Sequence, residues 1–528
     1  MEAVRKPLRV GVFSDSPRQS RWIFEALAGA GGTRHAEISL VALTPAPRPS
    51  QVPLLWRAYR RADRALFGSA SGWNAARDLN ALVAAERRVT MGADERSWRA
   101  RVRESRLDVA FALGDVDDAS LEGLARYGVW RFCFGESGST FEPLAGVREV
   151  IEDRPVTASG LRIRPGGGKP DRIAHPSWGR TYPYSVAKSR DALFAKTSEF
   201  VARTLRELHE GGSRWIELGT EPAGAETAQR FPGAGRLLHD ISLLGTRVAK
   251  KVTESALTLD TWSIAFRFGA EGEWDGALDG FHRLQPPAGW FWADPFPIQV
   301  NGRNYIFFEE QPLGASKGHI SVVEVDRDGG ASKPIKVLER DYHLSYPFLV
   351  EEDGRLFMIP ETANNSTVEI YRCVDFPARW KLERVLLKGV RCADATLHRL
   401  GDRWWMFANS AARGEAFNEE LCLYSADRLL GEWKPHRRNP VKSDVRGARP
   451  AGGLFWSGNR LYRPGQICTP LYGSGITVNR VTRLNLDEYH EEEDHRIVPR
   501  DPRTLGIHTF NRAGDLTVAD AFERRPRF

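Results

Sequence analysis

A sequence motif recurs in the second half of the chain, and its spacing restricts the fold more than any other feature. Its copies are ADPFPIQVNGRNYIFFEE (293–310), SYPFLVEEDGRLFMIPET (345–362), ADATLHRLGDRWWMFANS (393–410), ARPAGGLFWSGNRLYRPGQ (448–466) and a degraded IHTFNRAGDLTVADA (507–521). Aligned on Asp294, Tyr346, Asp394, Arg449 and His508, successive copies lie 52, 48, 55 and 59 residues apart. Several short strands per unit and a period near 50 residues predict a five-bladed β-propeller.

The same motif predicts where polar side chains gather. Each copy would form the two inner strands of a blade, and the second strand of a hairpin returns to the rim where the first began. One rim of the channel would therefore receive residues from the starts of first strands, namely Asp294, Tyr346, Asp394, Arg449 and His508. It would also receive residues from the ends of second strands, namely Glu309, Glu361, Asn409 and Gln466. This ring predicts a ligand site at the mouth, with solvated strand ends as the alternative for any single residue.

Two further segments complete the predicted propeller. TWSIAFRF (261–268) precedes the first copy and is expected to supply the outer strand that closes the ring with the last blade. Trp290 and Trp292 stand beside Asp294 and are the tryptophans placed to line the mouth, where an aromatic face can stack on a sugar ring. EYHEEEDHR (488–496) is expected to be a solvated charged turn.

The first half of the chain follows a different pattern. Short apolar runs at 8–13, 35–45, 107–115 and 129–135 alternate with helical spacing at 20–30, and a long amphipathic stretch follows at 191–212. Strands separated by helices predict an α/β domain with a parallel sheet. We therefore predict an α/β domain over 1–215, a linker and helix over 216–258, and an all-β five-bladed propeller over 259–528.

Composition narrows the class of protein. The chain has 75 Lys and Arg against 68 Asp and Glu, a net charge of +7 without a block of like charge, which does not favour nucleic-acid binding. The five cysteines are widely spaced, and no stretch approaches the length of a membrane-spanning helix. The predictions are reduced thiols, no transmembrane segment and a cytoplasmic location, with no cofactor and no metal site.

Two resemblances follow from the motifs of the second half. Asp-Pro-Phe in blade one and a further Asp in blade three resemble the furanosidase propellers, the arabinanase, xylosidase and β-fructosidase glycoside hydrolases. That resemblance implies Asp294 as base or nucleophile and Asp394 as a modulator of pKa. The acid of those enzymes is a Glu in a later blade, where this chain has Arg449, Arg463 and Gln466, so Glu361 of Ile-Pro-Glu-Thr in blade two is the candidate acid.

The second resemblance covers roughly 260–528. Trp-Ala-Asp-Pro-Phe, Tyr-Pro-Phe, Ile-Pro-Glu, Asp-Ala-Thr-Leu, Arg-Pro-Ala-Gly and Arg-Pro-Gly-Gln resemble the N-terminal propeller region of plant glucosamine inositolphosphorylceramide transferases and related bacterial proteins. In that family the transfer is attributed to a separate glycosyltransferase domain. The resemblance implies a protein that handles carbohydrate without showing that the propeller itself catalyses a reaction.

The first half resembles a third family. Asp108 through Gly160, with RYGVWRFCFG and PVTASGLRI, resembles the fold of methionyl-tRNA formyltransferase. That family uses an Asn-x-His motif, whose positions here fall on Arg131 and Cys133, and neither side chain can orient an oxyanion or shuttle a proton in the same way. We therefore expect a formyltransferase-like domain that has lost its original chemistry, with Cys133 as a buried structural residue instead of a nucleophile.

These observations lead to one leading hypothesis and two alternatives. The leading hypothesis is glycosyl transfer or glycoside cleavage at the propeller mouth, with Asp294, Glu361 and Asp394 as catalytic residues. The ligand would be a sugar, glycan or sugar phosphate bearing an anionic group, because Arg449 and Arg463 stand in the motif. The expected substrate-binding residues are Trp290, Trp292, Glu309, Tyr346, Asn409, Arg449, Arg463, Gln466 and His508. The alternatives are a glycan-binding propeller without catalysis, and a formyl- or acyltransferase in the first half.

Overall fold

The computed structural model describes residues 5–45, 52–68, 72–136, 138–224, 231, 233–269, 275–410 and 417–527. Contacts within the chain divide it into two units, Met1–Lys250 and Lys251–Phe528. The predicted linker and helix over 216–258 contain a helix at Ala234–Leu257, while residues 225–230 and 232 of that prediction lie outside the described residues. None of the described helices combines the length and the apolar character needed to span a bilayer.

The first unit contains a mixed eight-stranded sheet. The strands of this unit are Leu8–Ser14 (β1), Arg18–Ser20 (β2), Ala36–Leu43 (β3), Ala76–Asp78 (β4), Arg88–Thr90 (β5), Val109–Leu113 (β6), Val129–Phe134 (β7), Val156–Arg164 (β8), Arg172–Arg180 (β9) and Glu221–Pro222 (β10). The order in the sheet is β10-β9-β8-β7-β6-β1-β3-β5, and β2 pairs with β4 separately. Strands β7, β6, β1, β3 and β5 are parallel, whereas β8, β9 and β10 join antiparallel.

The helices that begin in this unit pack on the two faces of the sheet or against one another. They are Arg21–Gly31 (α1), Leu54–Phe67 (α2), Glu95–Glu104 (α3), Asp118–Leu121 (α4), Val147–Ile151 (α5), Val186–Thr197 (α6), Phe200–Gly211 (α7), Ser213–Leu218 (α8) and Ala234–Leu257 (α9). Because successive strand side chains point to opposite faces, Val109 and Phe111 of β6 join one core with α1 and α7, while Ala110 joins another with α3. The predicted α/β domain with a largely parallel sheet is confirmed.

The helix predicted over 191–212 is two helices, α6 and α7. Side-chain hydroxyls cap the carbonyls at the break: Thr197 Oγ1 donates to Leu193 O at 2.6 Å and Ser198 Oγ to Ala195 O at 2.6 Å. Hydroxyls that bond back to the preceding turn bend or interrupt helices. The amphipathic pattern did not predict this break, because it records which faces are apolar and not where the backbone turns.

The second unit is a five-bladed β-propeller, as predicted. Its strands begin with Thr258–Phe268 (β11) and His282–Leu284 (β12), and blade one is Trp290–Val300 (β13), Arg303–Pro312 (β14), His319–Val325 (β15) and Ile335–Leu338 (β16). Blade two is Ser345–Glu352 (β17), Arg355–Glu361 (β18), Thr367–Asp375 (β19) and Arg379–Lys388 (β20). Blade three is Cys392–Leu400 (β21), Arg403–Ser410 (β22), Glu420–Ala426 (β23), Lys434–Pro435 (β24) and Lys442–Ser443 (β25). Blade four is Phe455–Ser457 (β26), Arg460–Ile467 (β27), Gly475–Leu484 (β28) and Tyr489–Ile497 (β29).

The fifth blade closes the ring. It combines Thr504–Gly506 (β30), Phe510–Ala513 (β31) and Leu516–Pro526 (β32) with β11 and β12. Strand β11 pairs antiparallel with β32 along its whole length, from Thr258 opposite Pro526 to Phe268 opposite Leu516. The expected closure by TWSIAFRF is confirmed. The segment is not the outermost strand, because β12 pairs on its far side.

The repeat is visible in the backbone of the first three blades. The pairing of β13 with β14 shifts between Ala293 and Phe296, and the β17–β18 and β21–β22 pairings shift at the equivalent positions. At these bulges Asp294, Tyr346 and Asp394 have positive φ angles of 53°, 46° and 53°. A residue other than glycine is strained in this left-handed region, and such strain clusters at functional sites.

We expect Ile264→Ala to weaken the ring closure. Ile264 of β11 is fully buried in a core that also contains Ile306 of blade one and Val518 of β32. Removing buried methyl groups here should lower the free energy of unfolding by about 2–5 kcal/mol, measured by urea denaturation. The control is Leu382→Ala on β20, whose side chain is 40% exposed, with an expected change within about 0.5 kcal/mol. Equal effects of the two variants would contradict the packing role of β11.

Candidate functional site

Asp294 lies at the bulge of β13 with both carboxylate oxygens engaged. Thr509 Oγ1 donates to Oδ1 at 2.7 Å, His508 Nε2 lies 3.0 Å from the same oxygen, and the backbone N–H of Tyr346 donates to Oδ2 at 3.2 Å. The side chain is 5% exposed. Burial alone would raise the pKa of Asp294, but the charge of His508 and these hydrogen bonds outweigh burial and hold the pKa below its ordinary value. Asp294 is therefore a carboxylate at neutral pH.

His508 lies between two aspartates. Its Nε2 faces Asp294, and its Nδ1 lies 2.8 Å from Oδ2 of Asp520. Burial would lower the pKa of His508, but Asp520 and Asp294 outweigh it and raise the pKa to about 10. His508 is thus an imidazolium that neutralises part of the surrounding negative charge.

Asp294, His508 and Asp520 are also the one group among the described residues with ligand atoms close enough for a metal ion. The two ring nitrogens of His508 face different aspartates. A metal ion bound through one nitrogen would therefore leave the ion pair at the other nitrogen in place. Asp520 is occupied as well, because its Oδ1 accepts the backbone N–H groups of His508 at 2.8 Å and Thr509 at 3.0 Å. The geometry fits an ion-pair network better than a metal site.

Asp394 occupies the equivalent bulge of blade three and pairs with Arg449. The guanidinium donates from Nε to Oδ2 at 2.6 Å and from Nη2 to Oδ1 at 3.1 Å, a bidentate arrangement. Gln466 Nε2 donates to the same Oδ2 at 2.8 Å. The Nη2 of Arg449 also reaches Glu361 Oε2 at 3.5 Å. Residues from blades two, three and four therefore meet, as the register of the repeat predicts.

Two glutamates at the ends of second strands have raised pKa values. Burial and the neighbouring Asp394 carboxylate raise the pKa of Glu361 to about 8. Burial and Asp294 raise the pKa of Glu309 well above its ordinary value. Glu361 keeps 11% of its side-chain surface exposed. The rim therefore combines Asp294, whose pKa is lowered, with two glutamates whose pKa values are raised.

The remaining predicted rim residues have defined partners. The hydroxyl of Tyr346 lies 2.8 Å from Thr396 Oγ1 and accepts the N–H of Gly452 at 2.8 Å. Asn409 Nδ2 donates to the carbonyl of Glu420 at 3.0 Å, while its buried Oδ1 has no hydrogen-bond partner among the described residues. Tyr346 supports the floor of the site through the backbone, whereas Asn409 lies against its own blade without a contact to the carboxylates.

Arg463 is paired within blade four, and its predicted role in ligand binding stays a prediction. Its side chain is completely buried, and Nε and Nη2 each lie 2.7 Å from a carboxylate oxygen of Glu491. Lys442 Nζ donates to Glu491 at 2.6 Å. Glu491 belongs to β29, so the segment predicted as a solvated charged turn is a strand with a buried acid. The repeat places Arg463 within the hairpin but does not record which way its side chain points.

The two tryptophans beside Asp294 differ in their surroundings. Trp292 is buried in the core between blades five and one, with its ring 4.9 Å from that of Phe308, and its Nε1 donates to Glu310 at 3.1 Å. Trp290 is half-buried with its ring 6.1 Å from that of His319. Trp292 therefore packs between blades, and the lining of the mouth by these two indoles stays a prediction.

Sequence reasoning missed three residues of the cluster. Asp520 is an acid within the otherwise apolar run LTVADAF, an exception that could have identified it. Thr509 follows His508 directly, so the aligned copy could have included it. Tyr472 lies in a loop outside the repeated motif, so the motif gave no signal for it. Its ring lies 5.2 Å from the Arg449 guanidinium and 5.3 Å from the His508 ring. Only tertiary structure shows that contact.

In the first unit, the positions of the formyltransferase motif are structural. Arg131 Nε donates to Asp118 at 2.6 Å and its Nη1 to the carbonyl of Gly114 at 2.9 Å, with both side chains largely buried. Cys133 is buried and forms no disulfide with another described cysteine. Arg131 is thus held by an ion pair and a backbone hydrogen bond on β7, and the resemblance of this unit to formyltransferases stays a prediction.

Comparison with known proteins concerns the propeller. Residues 285–513 match the sequence model of the family described as "Glucosamine inositolphosphorylceramide transferase 1, N-terminal". The protein of that name from Arabidopsis thaliana is 34% identical over 206 residues, which are 38% of this chain and 27% of the relative. The protein from Oryza sativa subsp. japonica is 34% identical over 205 residues, with the same shares.

Solved structures show weaker likeness. Zg3597, a family 117 glycoside hydrolase of Zobellia galactanivorans, aligns with a TM-score of 0.33 and 13% identity over 50% of this chain and 90% of its own. The α-L-arabinofuranosidase of Lactobacillus brevis aligns with a TM-score of 0.32 and 14% identity over 42% and 82%. The chain spans 27% of the length of the curated relatives it matches. Its propeller is similar to the N-terminal region of the glucosamine inositolphosphorylceramide transferases, which confirms the resemblance predicted from the motifs.

Proposed function

We propose that the propeller mouth acts on a glycan or glycoconjugate by glycosyl transfer or glycoside cleavage. Asp294 would be the base or nucleophile and Glu361 the acid. Asp394 would be the modulator, because its negative charge is the second largest cause of the raised pKa of Glu361. Arg449 would hold Asp394 and Glu361 in place through its contacts at 2.6 Å and 3.5 Å.

The observation that carries this proposal is the separation of pKa values between two carboxyl groups at one rim. The pKa of Asp294 is lowered, and that of Glu361 is raised to about 8. Glycosyl chemistry needs one carboxylate to attack or to activate a water molecule and one carboxylic acid to protonate the leaving oxygen. The charge of His508 lowers the pKa of Asp294, and burial raises the pKa of Glu361. The register of the repeat predicts that both side chains lie at the same mouth.

The relatives support a carbohydrate ligand. Their name includes a sugar, glucosamine, and a phosphorylated lipid acceptor, inositolphosphorylceramide. A sugar or glycolipid is therefore the ligand class that we propose. The anionic group predicted from two arginines has less support, because Arg463 pairs with Glu491 and Arg449 pairs with Asp394.

A glycan-binding propeller without catalysis is the second candidate. The specific observation in its favour is the environment of Asp294, whose two oxygens are occupied by His508, Thr509 and the backbone of Tyr346 while only 5% of the side chain is exposed. A ligand would reach Asp294 only by displacing one of these partners. Turnover measurements distinguish the two candidates.

The catalytic proposal predicts an alkaline limit to activity. Because the pKa of Glu361 is about 8, the acid loses its proton above that pH, and kcat/KM should fall about tenfold per pH unit. On the acid side the lowered pKa of Asp294 predicts no loss until below about pH 4. The measurement is a pH profile of kcat/KM on a panel of aryl glycosides, phosphorylated sugars and nucleotide-linked sugars.

Two matched variants assign the alkaline limit. The two changes are matched because each replaces a buried glutamate at an equivalent position of a second strand. Glu361→Gln should leave a low residual activity without the alkaline limit, whereas Glu309→Gln should retain the alkaline limit. Loss of the limit in Glu309→Gln alone would show that Glu361 is not the acid. A chain that binds a panel member and turns over none of them would favour the glycan-binding candidate.

A further inference from the structure

Four arginines of the first unit lie on one face of α2. Its sequence, LLWRAYRRADRALF, places Arg57, Arg60, Arg61 and Arg64 at i, i+3, i+4 and i+7. At 100° per residue these positions span an arc of about 100° on the helix surface. The buried residues of α2, Trp56 and Asp63, lie about 90–110° around the helix from the middle of this row. The helix therefore packs by the side next to the row of guanidinium groups.

These four side chains line a pocket of about 190 Å³. None of the four forms an ion pair with a carboxylate among the residues that the structure describes. The acid of α2, Asp63, is directed elsewhere, because its Oδ2 accepts the backbone N–H of Ala187 at 2.6 Å where α6 begins. Within the part of the chain that the structure describes, the pocket is therefore lined by four guanidinium groups with no carboxylate at ion-pair distance.

A fifth arginine adds to the positive potential. Arg190 of α6 is buried, with Nη2 2.6 Å from Glu142 Oε1 and Nη1 3.0–3.2 Å from three backbone carbonyls. Burial lowers the pKa of Arg190 to about 10, and the nearby charges of Arg60 and Arg64 also lower it. Glu142 thus pairs with Arg190, and its charge and that of Asp63 also act on Arg60. An anion from outside would relieve the remaining repulsion among the arginines.

We propose that this pocket binds a phosphate group. A phosphate monoester carries a charge of about −1.5 to −2 and three acceptor oxygens at neutral pH, whereas a carboxylate carries one charge and two oxygens. Guanidinium groups match phosphate oxygens in bidentate geometry. The phosphate could belong to a soluble compound or to a lipid headgroup. Leu54, which is 76% exposed one turn before Arg57, offers an apolar contact to a lipid surface. The proposal is independent of catalysis at the propeller.

The test uses the full chain and two kinds of probe. Titration calorimetry measures binding of inorganic pyrophosphate, and flotation measures binding to phosphatidylcholine vesicles with and without phosphatidic acid. The variant is Arg57→Gln with Arg61→Gln, two exposed side chains of the pocket. The control is Arg96→Gln with Arg103→Gln, which removes the same charge from exposed positions of α3. We expect the pocket variant to lose about tenfold or more in affinity and the control to change little.

Each outcome decides a part of the proposal. Binding of pyrophosphate that the pocket variant loses supports a soluble phosphorylated ligand. Binding only to vesicles that contain phosphatidic acid, lost in the same variant, supports a lipid headgroup. Equal losses in the pocket variant and the α3 control would overturn the proposal, since they would reflect net charge alone. Absence of binding to both probes would overturn it as well.

Discussion

Replacing Asp294 with asparagine should lower kcat by about 100-fold or more. Asparagine keeps the size of the side chain, and its oxygen can still accept the hydrogen bond that Thr509 donates at 2.7 Å. The change removes the charge that lies 3.0 Å from His508 and that would attack or activate water. Ligand affinity should change much less, because most hydrogen bonds are kept. The measurement is kcat together with Kd on the active members of the sugar panel.

The matched control is Asp353→Asn. Asp353 lies in an exposed turn and has a positive φ of 52°, close to the 53° of Asp294, so the control makes the same substitution in the same backbone conformation. Its kcat should equal that of the original chain. Thermal unfolding of both variants separates loss of catalysis from loss of folding. Unchanged kcat in folded Asp294→Asn would remove Asp294 from the catalytic assignment.

Replacing Glu491 with glutamine should lower the free energy of unfolding by about 3–5 kcal/mol, because it leaves Arg463 as a buried charge without a partner. Arg463 is fully buried, and Glu491 receives Arg463 at 2.7 Å and Lys442 at 2.6 Å. Burial opposes ionisation of Glu491, but these two cations outweigh it and lower the pKa well below the ordinary value. The stabilisation is therefore present above about pH 4 and is lost as the pH falls further. Urea denaturation at neutral and acid pH measures both effects.

Two further variants test this interpretation. Glu492→Gln removes a neighbouring glutamate that pairs with Arg480 at the surface, where the side chains are 35% and 51% exposed, and should cost at most about 1 kcal/mol. Arg463→Met combined with Glu491→Leu removes both buried charges and should recover most of the stability. If the double variant were as unstable as Glu491→Gln, shape and not charge would explain the loss.

The fold could be predicted in detail because it repeats. Equivalent positions of the copies fell at equivalent places in the blades, and three of them share a backbone bulge with φ near 50°. The alignment of the copies also predicted that one group of side chains lies together, namely Asp294, Glu361, Asp394, Arg449, Gln466 and His508. A repeat fixes the position of a residue along its strand, and the strand end that faces the mouth follows from the hairpin.

The partners of each side chain could not be predicted in the same way. Arg463 pairs with Glu491 because strand β29 places this buried acid beside it. The acidic run at 488–496 gave no sign that it forms a strand. Trp292 packs in a core that includes Ile264 and Val518 of blade five, because blades of a propeller need apolar contacts with one another. Tyr472 reaches Arg449 from a loop outside the motif. Each depends on contacts between segments distant in sequence, which a repeat pattern does not contain.

The pairing of β11 with β32 has a consequence for the order in which the protein gains its site. Asp294 stands in blade one, and its backbone N–H donates to Asp520 at 3.2 Å across 226 residues of sequence. During synthesis, residues 516–526 emerge after every other strand of the propeller, so β11 lacks its partner until β32 arrives. His508 and Asp520 reach Asp294 in that same last step. Formation of the site is thus coupled to completion of the ring. A nascent chain that lacks β32 has not yet brought Asp520 to Asp294.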